Sequence, residues 1–508
     1  MRKVDCTEVI KECNRATAKK KMEQIIMREM LRESAVMDKP SLRFIKLLTY
    51  YSSMKGDSFD INEKLDELPV ELRLRAVDRL KIERLKRRGR KSLLFRLLLI
   101  VALIGPGILV MIADNDAGGI ITYAQTGSIF GIGFFIPLMF LMVPVAYFVQ
   151  EMTVRLAAVT RRGHAEMIWK RYGSFWGAFS LIDLVIANTL TMITEFIGIT
   201  FGMSIFGIPS LYAVIIGITF VGIIMLTLRY HRWERVSLII AFFNMIFIPI
   251  VLFARPDWSM VANTFLSWNV PGGLSAIFIY VLIANVGTTI APWMLFFQQS
   301  SEVDKGIIPS DIRSGKRDTF MGACIMGAVA ISIIILTGTL VFGAQRVGTP
   351  ASYDIAFILQ TIASKVGMLP VKLFALGMID AGTIAAIALT ASTSWAVGEA
   401  FGWPKSINLP FAEGRKFYLP GLVSMLIAAL IVLVPNAPLG FLNLTVQVIA
   451  SIFMPAALLF LLLLVNDKAI MGKYVNKKWE NAVTVGIMLM LIAMSTLYGT
   501  GTIRNMSV

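Results

Sequence analysis

Histidine is nearly absent from this chain, with two among 508 residues, and cysteine is scarcely commoner, with three. Cys6, Cys13 and Cys324 cannot build a disulfide framework, and their spacing fits no zinc pattern. They read as buried or free thiols. Charge is also scarce, at 16% of residues. No Gly-rich nucleotide loop, nucleophile–base pair or metal-hydrolase motif occurs, so the chain is not expected to be an enzyme, and no resident cofactor is expected. The first 95 or so residues hold no apolar core long enough for a cleavable signal.

What is abundant is apolar sequence, 56% of residues with a mean hydropathy of +0.70. That lies outside the globular range. Eleven apolar stretches approach or exceed the roughly 20 residues that a spanning helix needs. They centre on 98–126, 131–155, 174–206, 210–228, 235–254, 274–299, 318–343, 369–401, 418–435, 440–465 and 481–499. The sequence therefore predicts an all-α polytopic membrane protein with 11 transmembrane helices. Residues 96–508 form the transmembrane domain and residues 1–95 a helical, basic cytoplasmic region.

Lys and Arg concentrate in alternate loops: Arg155 to Arg162 with Lys170-Arg171, Arg229 to Arg232, Arg313 to Arg317, Lys405 to Lys416, and Lys468 to Lys478. By the positive-inside rule these face the cytoplasm. The expected location is the plasma (inner) membrane, with the N-terminus cytoplasmic and the C-terminus extracytoplasmic. Topology also accounts for the net charge of +16, so nucleic acid is not an expected partner. The run Lys81-Ile-Glu-Arg-Leu-Lys-Arg-Arg-Gly-Arg-Lys91 precedes the first span. It would attract anionic lipid at about 1 kcal/mol per basic residue near the surface. A monomer is expected. Leu72, Leu74, Val77 and Leu80 recur at helical spacing in the N-terminal region, which reads as a small helical module.

Function is expected where apolar character fails. Ala113-Asp114-Asn115-Asp116-Ala117-Gly118-Gly119 interrupts the first span. Each Asp near a bilayer centre costs about 2.5–3.5 kcal/mol on insertion scales, and the Gly pair favours unwinding. Irregular backbone at that depth persists only where it lines a protected cavity. A second break, Gly287-Thr288-Thr289-Ile290-Ala291-Pro292-Trp293, lies in the sixth span. Pro292 removes a backbone donor there. Breaks five spans apart suit two inverted five-helix repeats with a site between them.

Gly105-Pro106-Gly107 followed by Asp116-Ala117-Gly118-Gly119 and Thr122 resembles the first helix of the Nramp family of divalent-metal transporters. The family pattern there is Asp-Pro-Gly-Asn. Ala291-Pro292-Trp293 stands where the family has Met-Pro-His. Gly207-Ile-Pro209, Gln447 and Asp467-Lys-Ala-Ile-Met471-Gly472 add to the likeness, which covers roughly residues 100–500. It implies a leucine-transporter-like fold with broken helices 1 and 6 and a metal site midway across the bilayer. Carried across, the ligands are Asp116, the carbonyls of Ala113 and Thr288, and Gln447 where it completes the site. Gly119 replaces the family's Asn, and Ala291 its Met. Gln447 is a ligand or water anchor, or else an interhelical hydrogen-bonding group. Asp114 either touches a hydrated ion or stabilises the unwound turn.

Losing a thioether and an amide leaves oxygen ligands, which suit Mg²⁺, Ca²⁺ and Mn²⁺, and should enlarge the cavity. Mg²⁺ keeps several waters and takes one or two carboxylates. The pattern resembles the Nramp-related magnesium transporter branch, with Mn²⁺ also expected to bind. The family's proton-relay positions have changed too. Its His after Pro is Trp293 and its next His is Gln298, while its Asp-x-x-Glu pair is Met192-Ile-Thr-Glu195. His164 and His231 are expected in cytoplasmic loops. Inward transport of Mg²⁺ without a proton is therefore expected, driven by the gradient and by about 4.6 kcal/mol per 100 mV of potential. Two residues keep two readings, and Trp293 keeps one. Glu195 is a residual proton site or a partner of a basic residue. Asp380 lines a polar vestibule or is satisfied by Thr383 or backbone. Trp293 shapes the pathway. The competing functions are a proton-coupled Mn²⁺/Fe²⁺ transporter, using Glu195, Asp114 or Asp380, and a membrane metal sensor.

Overall fold

The computed structural model describes residues 105–344 and 353–499, and they are all-helical, with no strand among them. The N-terminal region, residues 1–95, with Cys6, Cys13 and the basic run from Lys81 to Lys91, lies outside the described residues. Ten of the described helical segments are long and apolar enough to cross a membrane by length and composition. The broken first span precedes them, giving the eleven expected.

The first span is two helices, α1 (Pro106–Ala113) and α2 (Ala117–Phe130). Pro106 starts α1, where its missing amide costs nothing because first-turn amides have no helical acceptor. Then come α3 (Phe135–Thr160), α4 (His164–Ser204), α5 (Ser210–Thr227) and α6 (Tyr230–Phe243), the last continuing in short turns to Ala254. Gly173, at φ 88°, separates a short helix from the long remainder of α4. After α7 (Trp258–Ser267), the sixth span is again two helices, α8 (Ala276–Thr289) and α9 (Pro292–Lys305). The rest are α10 (Ile312–Leu340), α11 (Ile355–Val366), α12 (Met368–Ala400), α13 (Phe411–Val432), α14 (Leu439–Asn466) and α15 (Lys478–Gly499).

The helices α1, α2, α8 and α9 are wrapped by α4, α10, α12 and α14. Every residue of α1, α2 and α9 is buried. By contrast α5 and α13 expose Ile215, Phe220, Ile223, Leu426 and Leu430. A helix apolar on all sides is a core or membrane helix, and these two sit at the rim.

Between spans five and six and between spans seven and eight lie α7 and α11, at 10 and 12 residues too short to span. Two elements depart from the sequence reading. Arg155 and the stretch from Arg313 to Arg317 are helical, not loop. Arg155 is buried and bidentate to Glu151, at 2.6 and 2.9 Å, and it also donates to Asn476 Oδ1 at 2.6 Å. Lys316 completes the group at 2.8 Å from Glu151. Arg155→Met should destabilise the detergent-solubilised protein by about 3 kcal/mol, because a buried carboxylate then loses its main partner. Lys316→Met, at a half-exposed position, should cost less. Thermal unfolding of both variants checks the order.

Candidate functional site

The two breaks open their backbone for local reasons. In an unbroken helix the Ala117 amide would donate to the Ala113 carbonyl. Here it donates to Glu195 Oε2 at 2.9 Å, and the Ala113 carbonyl is released. In the second break, the Thr288 carbonyl would take its bond from residue 292, which is Pro and has no N–H. The Gly287 carbonyl would take one from Ala291, whose amide points instead to Met294 Sδ at 3.5 Å. Both breaks therefore present bare carbonyls, as a cation requires.

Asp116 has extended backbone, φ −66° and ψ 169°, and caps α2 by accepting from the Gly119 amide. A side-chain oxygen at this position satisfies one of the helix's orphan donors. On its other side, the Asp116 carboxyl lies close to that of Glu195. Asp114, fully buried, has no hydrogen-bond partner on either carboxylate oxygen. An unpaired buried carboxylate is costly, so it points to a missing positive charge. The Thr288 hydroxyl and Gln447 Nε2 are likewise buried and unpartnered.

The glycine pair lets three helices meet here. A Cβ on Gly119 would lie 2.7 Å from Thr288 Oγ1, 3.1 Å from Asp116 Oδ1 and 3.4 Å from the Asp114 carbonyl oxygen. A Cβ on Gly118 would collide with the Gln447 amide and with Thr194 Oγ1. So Asp114, Asp116, Gly119 and Thr288 converge on one point, and Gln447 abuts the adjoining face of α2. Ala291 is buried within the second break as the residue preceding α9. Among the described residues no three His, Cys, Asp or Glu side chains group as a metal site.

With this geometry in place, the chain can be set beside known proteins. The family model for natural resistance-associated macrophage protein-like sequences matches residues 107–499. The chain belongs to the Nramp family. One Nramp relative, a protein named divalent metal cation transporter MntH from Staphylococcus saprophyticus, is 29% identical over 412 residues, 76% of this chain and 89% of the relative. The natural resistance-associated macrophage protein 2 homolog of Dictyostelium discoideum is 25% identical over 391 residues, 74% of this chain and 59% of that protein. A solved manganese transporter from Eremococcus coleocola superposes with TM-score 0.61 at 18% identity, covering 81% of this chain and 96% of that one. That likeness fixes the leucine-transporter-like fold.

Within this Nramp frame, several expectations are corrected. The room vacated at Gly119 is filled by the Thr288 hydroxyl, so the expected larger cavity is absent there. His164 is not in a loop. It is the first residue of α4, fully buried, 2.8 Å from Gln299 Oε1 and edge-on to Phe296. Among the described residues Glu195 has no basic partner; the Ala117 amide and the Thr194 hydroxyl (3.1 Å) hold it. Thr383 donates to the Ile379 carbonyl and leaves Asp380 Oδ2 unsatisfied. Cys324 is free and exposed. Trp293 is buried and packs edge-on against Phe297.

Sequence reasoning missed Asn443, whose Nδ2 donates to the Gly118 carbonyl at 3.0 Å and to Thr122 Oγ1 at 3.1 Å. Its signal was available: Asn443 and Gln447 stand four apart on one face of a helix. It also missed the Thr288 hydroxyl, and Met294, one turn beyond the position where the family has Met, whose sulfur comes back to 3.5 Å from the Ala291 amide.

Proposed function

We propose that this chain carries divalent metal ions inward across the plasma membrane by alternating access, with Mg²⁺ preferred, Mn²⁺ also accepted and no proton coupled to the movement. Asp116, Asp114, the Ala113 and Thr288 carbonyls and Gln447 form the binding set, with Gly119 and Ala291 shaping it. The observation that carries this reading is the partnerless, buried Asp114 carboxylate two residues before Asp116, in a break where the Ala117 amide has left the Ala113 carbonyl. Two carboxylates among neutral oxygens match a hard cation that retains part of its water shell. The relatives' names, a divalent metal cation transporter and a manganese transporter, support the divalent cargo. The basic loops support a cytoplasmic N-terminus and an extracytoplasmic C-terminus.

Ala291→Met tests the ion preference. A thioether restored at the break should favour softer ions. In a competition assay, Cd²⁺ should inhibit Mn²⁺ uptake about tenfold more strongly in the variant than in the wild type. Unchanged competition would mean that position 291 does not face the ion.

A proton-coupled Mn²⁺ reading is favoured by one observation, the closeness of the Asp116 and Glu195 carboxyls. Two neighbouring carboxyls share a proton readily, and an arriving cation could displace it. Acidification of the vesicle interior during uptake, lost in Glu195→Gln, would establish that second reading.

A further inference from the structure

We propose that Glu302 and Gln298, on α9, form a second station for a hydrated divalent cation between the central breaks and the cytoplasmic mouth. This inference rests on the carrier reading above. Glu302 lies eleven residues beyond Ala291, about 16 Å along the helix at the usual rise.

Glu302 is fully buried, and neither of its carboxylate oxygens has a hydrogen-bond partner. Gln298, one turn earlier on the same face, is also fully buried. Its amide Nε2 donates to Thr319 Oγ1 at 2.8 Å, which leaves Oε1 without a partner. Three acceptor oxygens thus line one seam between α9 and α10 with no donor supplied to them. Across that seam stands Gly315, where an added Cβ would lie 3.7 Å from Glu302 Oε1. The same Cβ would lie 2.6 Å from Val154 Cγ1, so the wall opposite the carboxylate is apolar and offers it no donor.

Among the described residues no cation is hydrogen-bonded to Glu302. Lys305, Asp318, Glu234 and Asp311 surround it, and among these described residues Lys305 is the one cation. Its Nζ lies 2.8 Å from Glu234. Asp318 is engaged by backbone, accepting from the Gly107 amide at 2.9 Å and from those of Gly105 and Ile108 at 3.2 and 3.3 Å. It thereby ties the start of α1 to α10. A cation arriving along α9 would meet the unpartnered Glu302 carboxylate. With one free carboxylate and one amide oxygen, the station suits an ion that keeps most of its water. Mg²⁺ and Mn²⁺ bind proteins through few carboxylates in that way.

The test is a Mn²⁺ titration of the purified full-length protein in detergent, with free Mn²⁺ read by electron paramagnetic resonance. The wild type should show a stronger and a weaker class of site. Glu302→Gln should lose the weaker class and keep the stronger; Gln298→Leu should do the same and serves if Glu302→Gln does not fold. Asp116→Asn should lose the stronger class alone. A single class in the wild type, or a folded Glu302→Gln with both classes intact, overturns the station and makes Glu302 a protonated acid only. If Asp116→Asn keeps both classes while Glu302→Gln loses one, the central-site reading fails and this one stands.

Discussion

Asp116→Asn should fold normally and lose metal uptake by about a hundredfold or more. The substitution separates two roles that the one side chain combines. As the cap of α2, Asp116 accepts from the Gly119 amide, and Asn caps a helix about as well as Asp. As a ligand, it supplies negative charge to a buried cation, which Asn cannot do. Removing one partner of a buried charge pair costs about 3–5 kcal/mol, and each 1.4 kcal/mol is a factor of about ten. Asp116→Ala removes the cap as well, so it should lose uptake and also about 1 kcal/mol of stability. Uptake into proteoliposomes, with thermal unfolding of both variants alongside, checks the separation. Uptake near wild type in Asp116→Asn would place the ion elsewhere.

Gly119→Ala should have the next largest effect, and a single methyl group causes it. The added Cβ would stand 2.7 Å from Thr288 Oγ1 and 3.1 Å from Asp116 Oδ1, closer than packed atoms tolerate. Overpacking of this kind costs about 1–3 kcal/mol. Here the atoms that must yield are those proposed to face the ion, so uptake should fall about tenfold to a hundredfold. Thr288→Ala in the same chain removes the obstructing hydroxyl and should restore much of the loss. That coupling is what a double-mutant cycle measures. An active Gly119→Ala single variant would mean that α2 is not packed on α8 as described.

Much of this architecture is legible in the sequence because a bilayer leaves few options. Apolar runs must become helices, and the breaks announce themselves through Asp114, Asp116, the glycine pair and Pro292, whose local chemistry forbids a continuous helix. Helix ends are less legible. The stretch from Arg313 to Arg317 reads as loop by charge, yet it is helical, with Lys316 on Glu151 of a distant helix. Pairings across the bundle are not legible at all. Nothing near Glu195 in sequence says that its carboxylate takes the Ala117 amide, nor that His164 is buried on Phe296. The contents of the site fail in the same way. Gly119 promises space when read alone, and the Thr288 hydroxyl, 169 residues away, fills it. Asn443 was within reach, since it shares a helix face with Gln447.

The central claim is an inward divalent-cation carrier that moves no proton, and one measurement tests it most directly. Purified protein in proteoliposomes is given a Mg²⁺ gradient and an inside-negative potential, and internal Mg²⁺ and pH are followed together, with Asp116→Asn as control. The account predicts Mg²⁺ entry that steepens with the potential, leaves internal pH unchanged and vanishes in the control. Mn²⁺ entry with acidification and no Mg²⁺ flux would contradict it, and would assign proton transfer to Asp116 and Glu195.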